Sequence, residues 1–272
     1  MKTQSYNYSL KKWGGLFMYT EDERTMYFQE ITTQLKAISD VVGIVQIGSG
    51  TIGYTDEYSD IDLMVATNEN ILEVKNVIIS ILNKIGALFI KEGKFSDKIF
   101  LLIPFFKNGL EMNISILPLE LLNVKSPLWK IIFDQKGNVT KKMTEENDKF
   151  VAQQQPYMQS YAIDFEFAYH LRKLNIELIR GNYIYAMKML DILRDATLNL
   201  QILNENKKLH QFKAYHTLQK EFINELEKSY PKNTDKTEIL RAAGAITKLF
   251  KEVIIKNETF TFNEEVFEIT KI

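Results

Sequence analysis

The chain has 272 residues, of which 45% are apolar and 25% charged, enough to bury one large core or two modest ones in a composition ordinary for globular proteins. Its 34 Lys and Arg nearly balance 35 Asp and Glu, and a net charge of −1 argues against nucleic acid as the main partner, because gripping a phosphate backbone needs a basic surplus. With no cysteine, disulfides, zinc–thiolate centres and thiol nucleophiles are excluded.

Residues 1–19 show no clear period and read as an arm from which Trp13 and Phe17 could dock. Lys2, Lys11 and Lys12 accompany only a short apolar patch, Leu16 to Tyr19, so no secretory leader is expected. Thr20 followed by Glu21, Asp22 and Glu23 is a helix start, and Phe28, Ile31, Leu35 and Ile38 continue it at helical spacing. A β-branched strand, Ile44 to Ile47, ends at Gly48-Ser49. Ten residues later Asp60 and Asp62 flank Ile61 in a second apolar strand. Thr67 or Asn68 then caps a helix whose stripe is Ile71, Val74, Ile78, Ile81, Leu82 and Ile85, with Gly86 as its stop. Lys98 to Phe106 and Leu110 to Leu117 are strands, joined through Asn108-Gly109 in the manner of a hairpin. Residues 118–150 read as mixed connection and strand.

The polar run Thr144 to Lys149 and the stretch Gln153-Gln154-Gln155-Pro156 mark a boundary, after which the pattern becomes helical. Helices are expected at about 157–180, 183–204, 209–229 and 235–256, and their short connections favour an antiparallel bundle. The tail from Glu258 is expected to be a strand or a docked segment. His170, His210 and His216 have no ligand spacing and read as surface or satisfied core residues. No apolar run reaches the ~18 residues of a membrane span, so the cytoplasm is the expected location.

The chemistry concentrates between Val45 and Val65. Side chains alternate along a strand, so Asp60 and Asp62 share one face while Ile61, Leu63 and Val65 take the other. Two neighbouring carboxylates repel unless a cation or water reaches them, and Mg²⁺ is commonly held by one or two carboxylates with phosphate oxygens completing its shell. Gly48 permits a sharp turn and close backbone approach, and Ser49 adds a hydroxyl and an amide, the groups of an anion cradle. Downstream, Leu110, Met112, Ile114 and Ile116 share one strand face, and Glu111, Asn113, Ser115 and Leu117 share the other. That places the carboxylate of Glu111 on a strand expected to neighbour the aspartate pair.

The run Gly48-Ser49, ten residues, Asp60-Ile61-Asp62 resembles the signature of the polymerase-β-like nucleotidyltransferase superfamily. More narrowly, the stretch from Gly48 to Asp62, with Tyr58-Ser59 before the first carboxylate, is similar to the bacterial lincosamide and aminoglycoside nucleotidyltransferases. Gly109-Leu110-Glu111-Met112-Asn113 resembles the element bearing that family's third acid, and Leu178 to Asp195 resembles its helical hairpin. The resemblance implies an α+β protein: a nucleotidyltransferase domain with a mixed sheet flanked by helices over residues 1–152, and a helical, substrate-binding bundle over 153–272. It implies transfer of a nucleoside monophosphate, AMP foremost, from a nucleoside triphosphate to a hydroxyl of a small molecule such as an aminoglycoside or lincosamide, with Mg²⁺ and release of pyrophosphate. Gly48 and Ser49 would hold the triphosphate through their amides and the Ser49 hydroxyl, and Asp60 and Asp62 the metal. Glu111 would complete a second metal site or act as general base. Asp164, Glu166, Glu177, Asp191 and Asp195 could line a cleft for a cationic acceptor, although helix charges more commonly face water. A second copy of the chain is a candidate partner. The competing readings are a nucleotidyltransferase acting on RNA or protein, as in toxin–antitoxin pairs, and a nucleotide-binding module without turnover.

Overall fold

The computed structural model describes residues 11–13, 16–54, 58–68, 70–152, 162–207, 213–260, 264–268 and 270; side chains are described for these except 11–18 and 266. The chain divides into two compact units, Met1–Gln154 and Gln155–Ile272.

In the first unit, β1 (Lys11–Trp13) and β2 (Leu16–Met18) form an antiparallel pair. Docking of the Trp13 and Phe17 side chains lies outside the described residues. Helix α1 (Glu21–Lys36) starts at Thr20 through a reciprocal cap: the Glu23 amide donates to Thr20 Oγ1 at 3.2 Å, and the Thr20 amide donates to Glu23 Oε2 at 2.8 Å. The acids that follow Thr20 thus satisfy orphan amides of the first turn. β3 (Val41–Ile47) runs into a 3₁₀ turn, Gly48–Ile52, and the chain returns as β4 (Ile61–Thr67). Helix α2 (Ile71–Lys84) starts after Asn70 rather than at Thr67 or Asn68 and buries Ile71, Val74, Ile78, Ile81 and Leu82 of the expected stripe, with Ile85 just past its last residue.

The next strand, β5 (Ala87–Ser96), was not expected. Its Lys91, Glu92 and Lys94 obscure any apolar alternation, and it lies at the sheet edge, where charge is tolerated and discourages pairing with another chain. Glu92 is compensated by Lys75 of α2, with Nζ 2.6 Å from Oε2. β6 (Ile99–Phe106) and β7 (Met112–Pro118) follow, and the Asn108-Gly109 turn between them is closed by the Phe106 amide donating to the Leu110 carbonyl at 2.9 Å. Residues 118–150, expected as connection and strand, contain β8 (Trp129–Asp134) and also helix α3 (Asn138–Ala152). Only Val139, Met143 and Phe150 of α3 are buried, too sparse a stripe to read as a helix. Its start is held by Asp134, whose carboxylate accepts from the amides of Lys136, Val139 and Thr140.

The six strands lie in the order β5-β6-β7-β4-β3-β8; β4 and β7 are parallel and the other pairs antiparallel. The fold is therefore α+β with a mixed sheet, as expected. One face, carrying Ile44, Ile61, Leu63, Val65, Leu102, Ile114 and Ile116, packs with Ile31 and Leu35 of α1 and the stripe of α2. Val45, Met64 and Ala66 on the opposite face pack with Val139 and Met143 of α3. Each fully buried aliphatic side chain contributes about 1.5–3 kcal/mol, so these layers fix the register that places the polar residues between them.

The second unit is helical: α4 (Ile163–Ile179), α5 (Tyr183–Asn204), α6 (Lys220–Glu227), α7 (Lys236–Ile254) and a short α8 (Glu264–Glu268). The tail, expected as a strand or a docked segment, is the second: α8 is helical and its Phe267 is buried in the core of this unit; Phe262 and Ile269 lie outside the described residues. The helix expected at 209–229 is shorter, preceded by a 3₁₀ turn at Tyr215–Thr217, and His210 lies outside the described residues. Phe167 and Phe250 stack with centroids 3.9 Å apart in this core. Two of the acids considered for a cationic acceptor are committed to local pairs. Glu177 is buried and accepts from Arg180 Nη1 at 2.7 Å and Asn182 Nδ2 at 2.8 Å, and Asp191 pairs with the buried Arg194.

Gly43 sits where β3 meets α3, and a Cβ there would lie 2.3 Å from Val139 Cγ2. Gly43→Ala is expected to destabilise the protein by about 1–3 kcal/mol through overpacking, and adding Val139→Ala should recover part of the loss. Thermal unfolding of the two variants measures this; an unchanged melting temperature for Gly43→Ala would contradict the close packing.

Candidate active site

Strand alternation brings the aspartates together. Ile61 and Leu63 are pinned in the apolar layer, so Asp62 projects from the other face. Asp60, one residue before β4 rather than inside it, projects beside it. Parallel pairing of β4 with β7 sets Asp62 opposite Asn113, so their side chains share that face. Asn113 Nδ2 donates to Asp60 Oδ2 at 2.8 Å and to Asp62 Oδ1 at 3.0 Å. One amide group thus joins the two carboxylates.

Glu111 stands just before β7, bridged to Phe105 of β6, and its carbonyl accepts from the Ile61 amide at 3.4 Å. Continuing the β4–β7 register from Ile61↔Met112 sets Glu111 beside Asp60, on the face that carries Asn113. All three candidate acids therefore lie on one face of two adjoining strands. Among the described residues, however, no group of three His, Asp or Glu side chains is gathered to hold a metal ion. Asp60 and Asp62 are the carboxylates brought together, and Glu111 is their neighbour one strand away.

On the other side of β4, the chain leaving β3 turns at Gly48 with φ +73°, and a Cβ there would lie 2.8 Å from Asp62 Oδ2. Glycine is required twice over, by the left-handed backbone and by the approach of the carboxylate. The Gly48 amide is already committed to the Leu128 carbonyl at 3.1 Å, so Gly48 contributes shape rather than the anion-binding N–H expected from the sequence. Ser49 occupies the first turn of the 3₁₀ segment beside it.

This turn is anchored from the helix side of the sheet. Tyr54 holds a left-handed backbone, φ 64°, uncommon for a bulky residue and sustained only where the surroundings fix it. Its amide donates to the Ser49 carbonyl at 2.9 Å, its hydroxyl accepts from Gln46 Nε2 at 3.3 Å, and the Arg24 guanidinium lies 3.8 Å from its ring centroid. Arg24 is 2% exposed and also donates from Nη1 to the Ser59 carbonyl at 3.2 Å, a carbonyl that accepts from Tyr19 Oη at 2.8 Å. A cation–π contact is worth more when desolvated, about 2 kcal/mol, so a buried arginine is an effective clamp on both ends of the loop. Burial pushes the Tyr54 hydroxyl above the usual phenol range; Asp62 and Asp60 push the same way, against Arg24 and the Gln46 hydrogen bond. The phenol therefore stays protonated beside the carboxylates.

The donor set suits a small hard cation. Two carboxylates present oxygens to one shared donor, Asn113 Nδ2, which occupies the bridging position that positive charge would favour, and the missing Gly48 side chain leaves space against Asp62. Two carboxylates with phosphate oxygens are the donors Mg²⁺ takes. Sequence reasoning did not single out Asn113, although strand alternation had already placed it on the face of Glu111. Arg24 gave no signal, because an arginine between acids in an amphipathic helix ordinarily faces water.

No protein-family model and no curated protein sequence matches the chain. Among solved structures it is similar to an aminoglycoside 6-adenyltransferase from Bacillus subtilis, at 13% identity over 93% of this chain and 97% of that one, with a TM-score of 0.39. It is also similar to a nucleotidyltransferase-like protein from Exiguobacterium sibiricum, at 14% identity over 90% of this chain and 77% of that one, with a TM-score of 0.41. JHP933 from Helicobacter pylori aligns at 11% identity over 85% and 92% of the two chains, with a TM-score of 0.30. These likenesses are too distant to fix chemistry, which is read from the carboxylate pair and its surroundings.

Proposed function

We propose that the protein transfers a nucleoside monophosphate from a nucleoside triphosphate to a hydroxyl of a small molecule, with release of pyrophosphate. The observation that carries this reading is the aspartate pair joined by Asn113, with the Gly48 turn pressed against one of its oxygens. Asp60 and Asp62 would hold Mg²⁺, which when bound supplies charge neutralisation and polarisation of the phosphates. The Ser49 hydroxyl and the amides of the 3₁₀ turn would receive the triphosphate tail. Asn113 holds the two carboxylates adjacent before any ligand arrives, so less ordering remains to be done on binding. Glu111 would take the proton of the acceptor hydroxyl as general base. An aminoglycoside or lincosamide as acceptor, and ATP as donor, belong to this proposal through the resemblance of the Gly48 to Asp62 stretch alone.

Asp60→Asn and Asp62→Asn should leave the melting temperature of the metal-free protein near the parent value, or raise it as a repulsion is relieved, while pyrophosphate release falls by about 10²–10³-fold. A folded Asp62→Asn protein with near-parent turnover would remove the metal assignment.

Glu111→Gln should lower turnover by about 10²–10⁴-fold with little change in the affinity for nucleotide and Mg²⁺. Calorimetry beside single-turnover kinetics distinguishes the roles, because a parallel loss of Mg²⁺ affinity would make Glu111 a ligand instead.

Gly48→Ala should cost about 1–2 kcal/mol for its left-handed backbone and displace the Asp62 carboxylate as well, so activity should fall more than stability alone explains. Equal and small losses in both would show that the turn does not support the carboxylate.

A further inference from the structure

The face bearing the carboxylates continues toward β5 as a row of side chains set by register. Phe89 of β5 opposes Phe105 of β6, Phe105 is bridged to Glu111, and Glu111 adjoins Asp60. Paired residues project to the same face, so one line across the sheet reads Phe89, Phe105, Glu111, Asp60. The next line is parallel to it: Lys91 opposes Ile103, the β6–β7 register carries Ile103 to Asn113, and Asn113 opposes Asp62. Phe105 is 38% and Phe89 64% exposed. α3 packs on this face at Val45, Met64 and Ala66 of β3 and β4, leaving these two rings uncovered.

The order along the row assigns its ends. The Gly48–Ser49 turn, proposed for the triphosphate, follows β3 on one side of β4; Glu111, just before β7, and the two phenylalanines on β6 and β5 lie on the other. In an in-line displacement at phosphorus the attacking hydroxyl enters opposite the departing pyrophosphate. With pyrophosphate on the β3 side, the acceptor oxygen must arrive from the β7 side, beside Glu111. The body of the acceptor then extends over Phe105 and Phe89.

We infer that Phe105 and Phe89 form an apolar platform for the acceptor, and that the acceptor is a hydroxylated molecule carrying an aromatic or aliphatic body rather than a bare polycation. This rests on the nucleotidyl-transfer reading above and narrows its substrate class. Lys91, two residues from Phe89 on the same face, repels a polycation, whereas a flat apolar group covers both rings while its hydroxyl reaches Glu111. Phe105 sets specificity and takes no part in proton or phosphoryl transfer.

The test uses two probes that share one hydroxylated sugar and differ in apolar body, phenyl β-D-glucopyranoside and methyl β-D-glucopyranoside. Their dissociation constants are measured by ligand-observed NMR on the full chain with Mg²⁺ and a non-hydrolysable nucleoside triphosphate. The phenyl glycoside is expected to bind about tenfold tighter, the size of one aromatic contact. Phe105→Ala should abolish that preference, and Phe105→Leu, which keeps an apolar surface, should retain part of it. Equal affinity for the two glycosides, binding of neither, or an undiminished preference in folded Phe105→Ala would overturn the platform. Nucleotide binding measured on the same samples, with Asp62→Asn as control, separates the two ideas. Loss of the phenyl preference with nucleotide binding intact removes the platform alone, while failure of nucleotide binding removes the transferase reading.

Discussion

Two carboxylates held side by side at the start of one strand are the constraint around which the first unit is arranged. Left alone, Asp60 and Asp62 repel each other, and their placement is enforced by groups that have nothing to gain from them chemically. Ile61, Leu63 and Val65 fill the opposite face of β4 and fix which way the aspartates point. The parallel partner strand brings Asn113 between them. Negative charge is thereby kept concentrated at the start of β4, as the proposed cation site requires.

The loop beside that pair is stabilised from underneath. Arg24 reaches from α1 to the ring of Tyr54 and the carbonyl of Ser59, and so ties the two ends of the turn-and-return between β3 and β4 to the helix layer. A strained Tyr54 backbone is sustained by these contacts and by Gln46. Tyr54 feels both charges: the aspartates oppose ionisation of its phenol, and Arg24 favours it. The protonated phenol of Tyr54 thus couples electrostatically to both Arg24 and the carboxylates.

Much of this was legible in the sequence because period and punctuation agreed. The Thr20 cap, the α2 stripe, the Asn108-Gly109 turn and the alternation from Leu110 to Leu117 each combine a local preference with a burial pattern, and all appear where expected. The closeness of Asp60 and Asp62 followed from strand alternation, while the roles of these residues, Ser49 and Glu111 belong to the proposal. What escaped was structure stabilised from a distance. β5 is an edge strand whose charges are offset by an ion pair to α2, and α3 is a mostly polar helix started by the Asp134 side chain. Arg24 and Asn113 do their work through partners 30 or more residues away, which no local pattern reveals. The amide of Gly48, free by sequence, is taken by Leu128, a pairing visible only once β8 is set beside β3.

If the carboxylate pair is a metal–nucleotide seat, its affinity for nucleotide must depend on the divalent ion and on both aspartates. The most direct measurement is calorimetric titration of each of the four nucleoside triphosphates into the protein, with Mg²⁺ and with EDTA, and into the Asp60→Asn/Asp62→Asn double variant. The account predicts binding of at least one nucleotide that requires Mg²⁺ and disappears in the folded double variant. Binding that is indifferent to Mg²⁺, or that survives loss of both carboxylates, would contradict it.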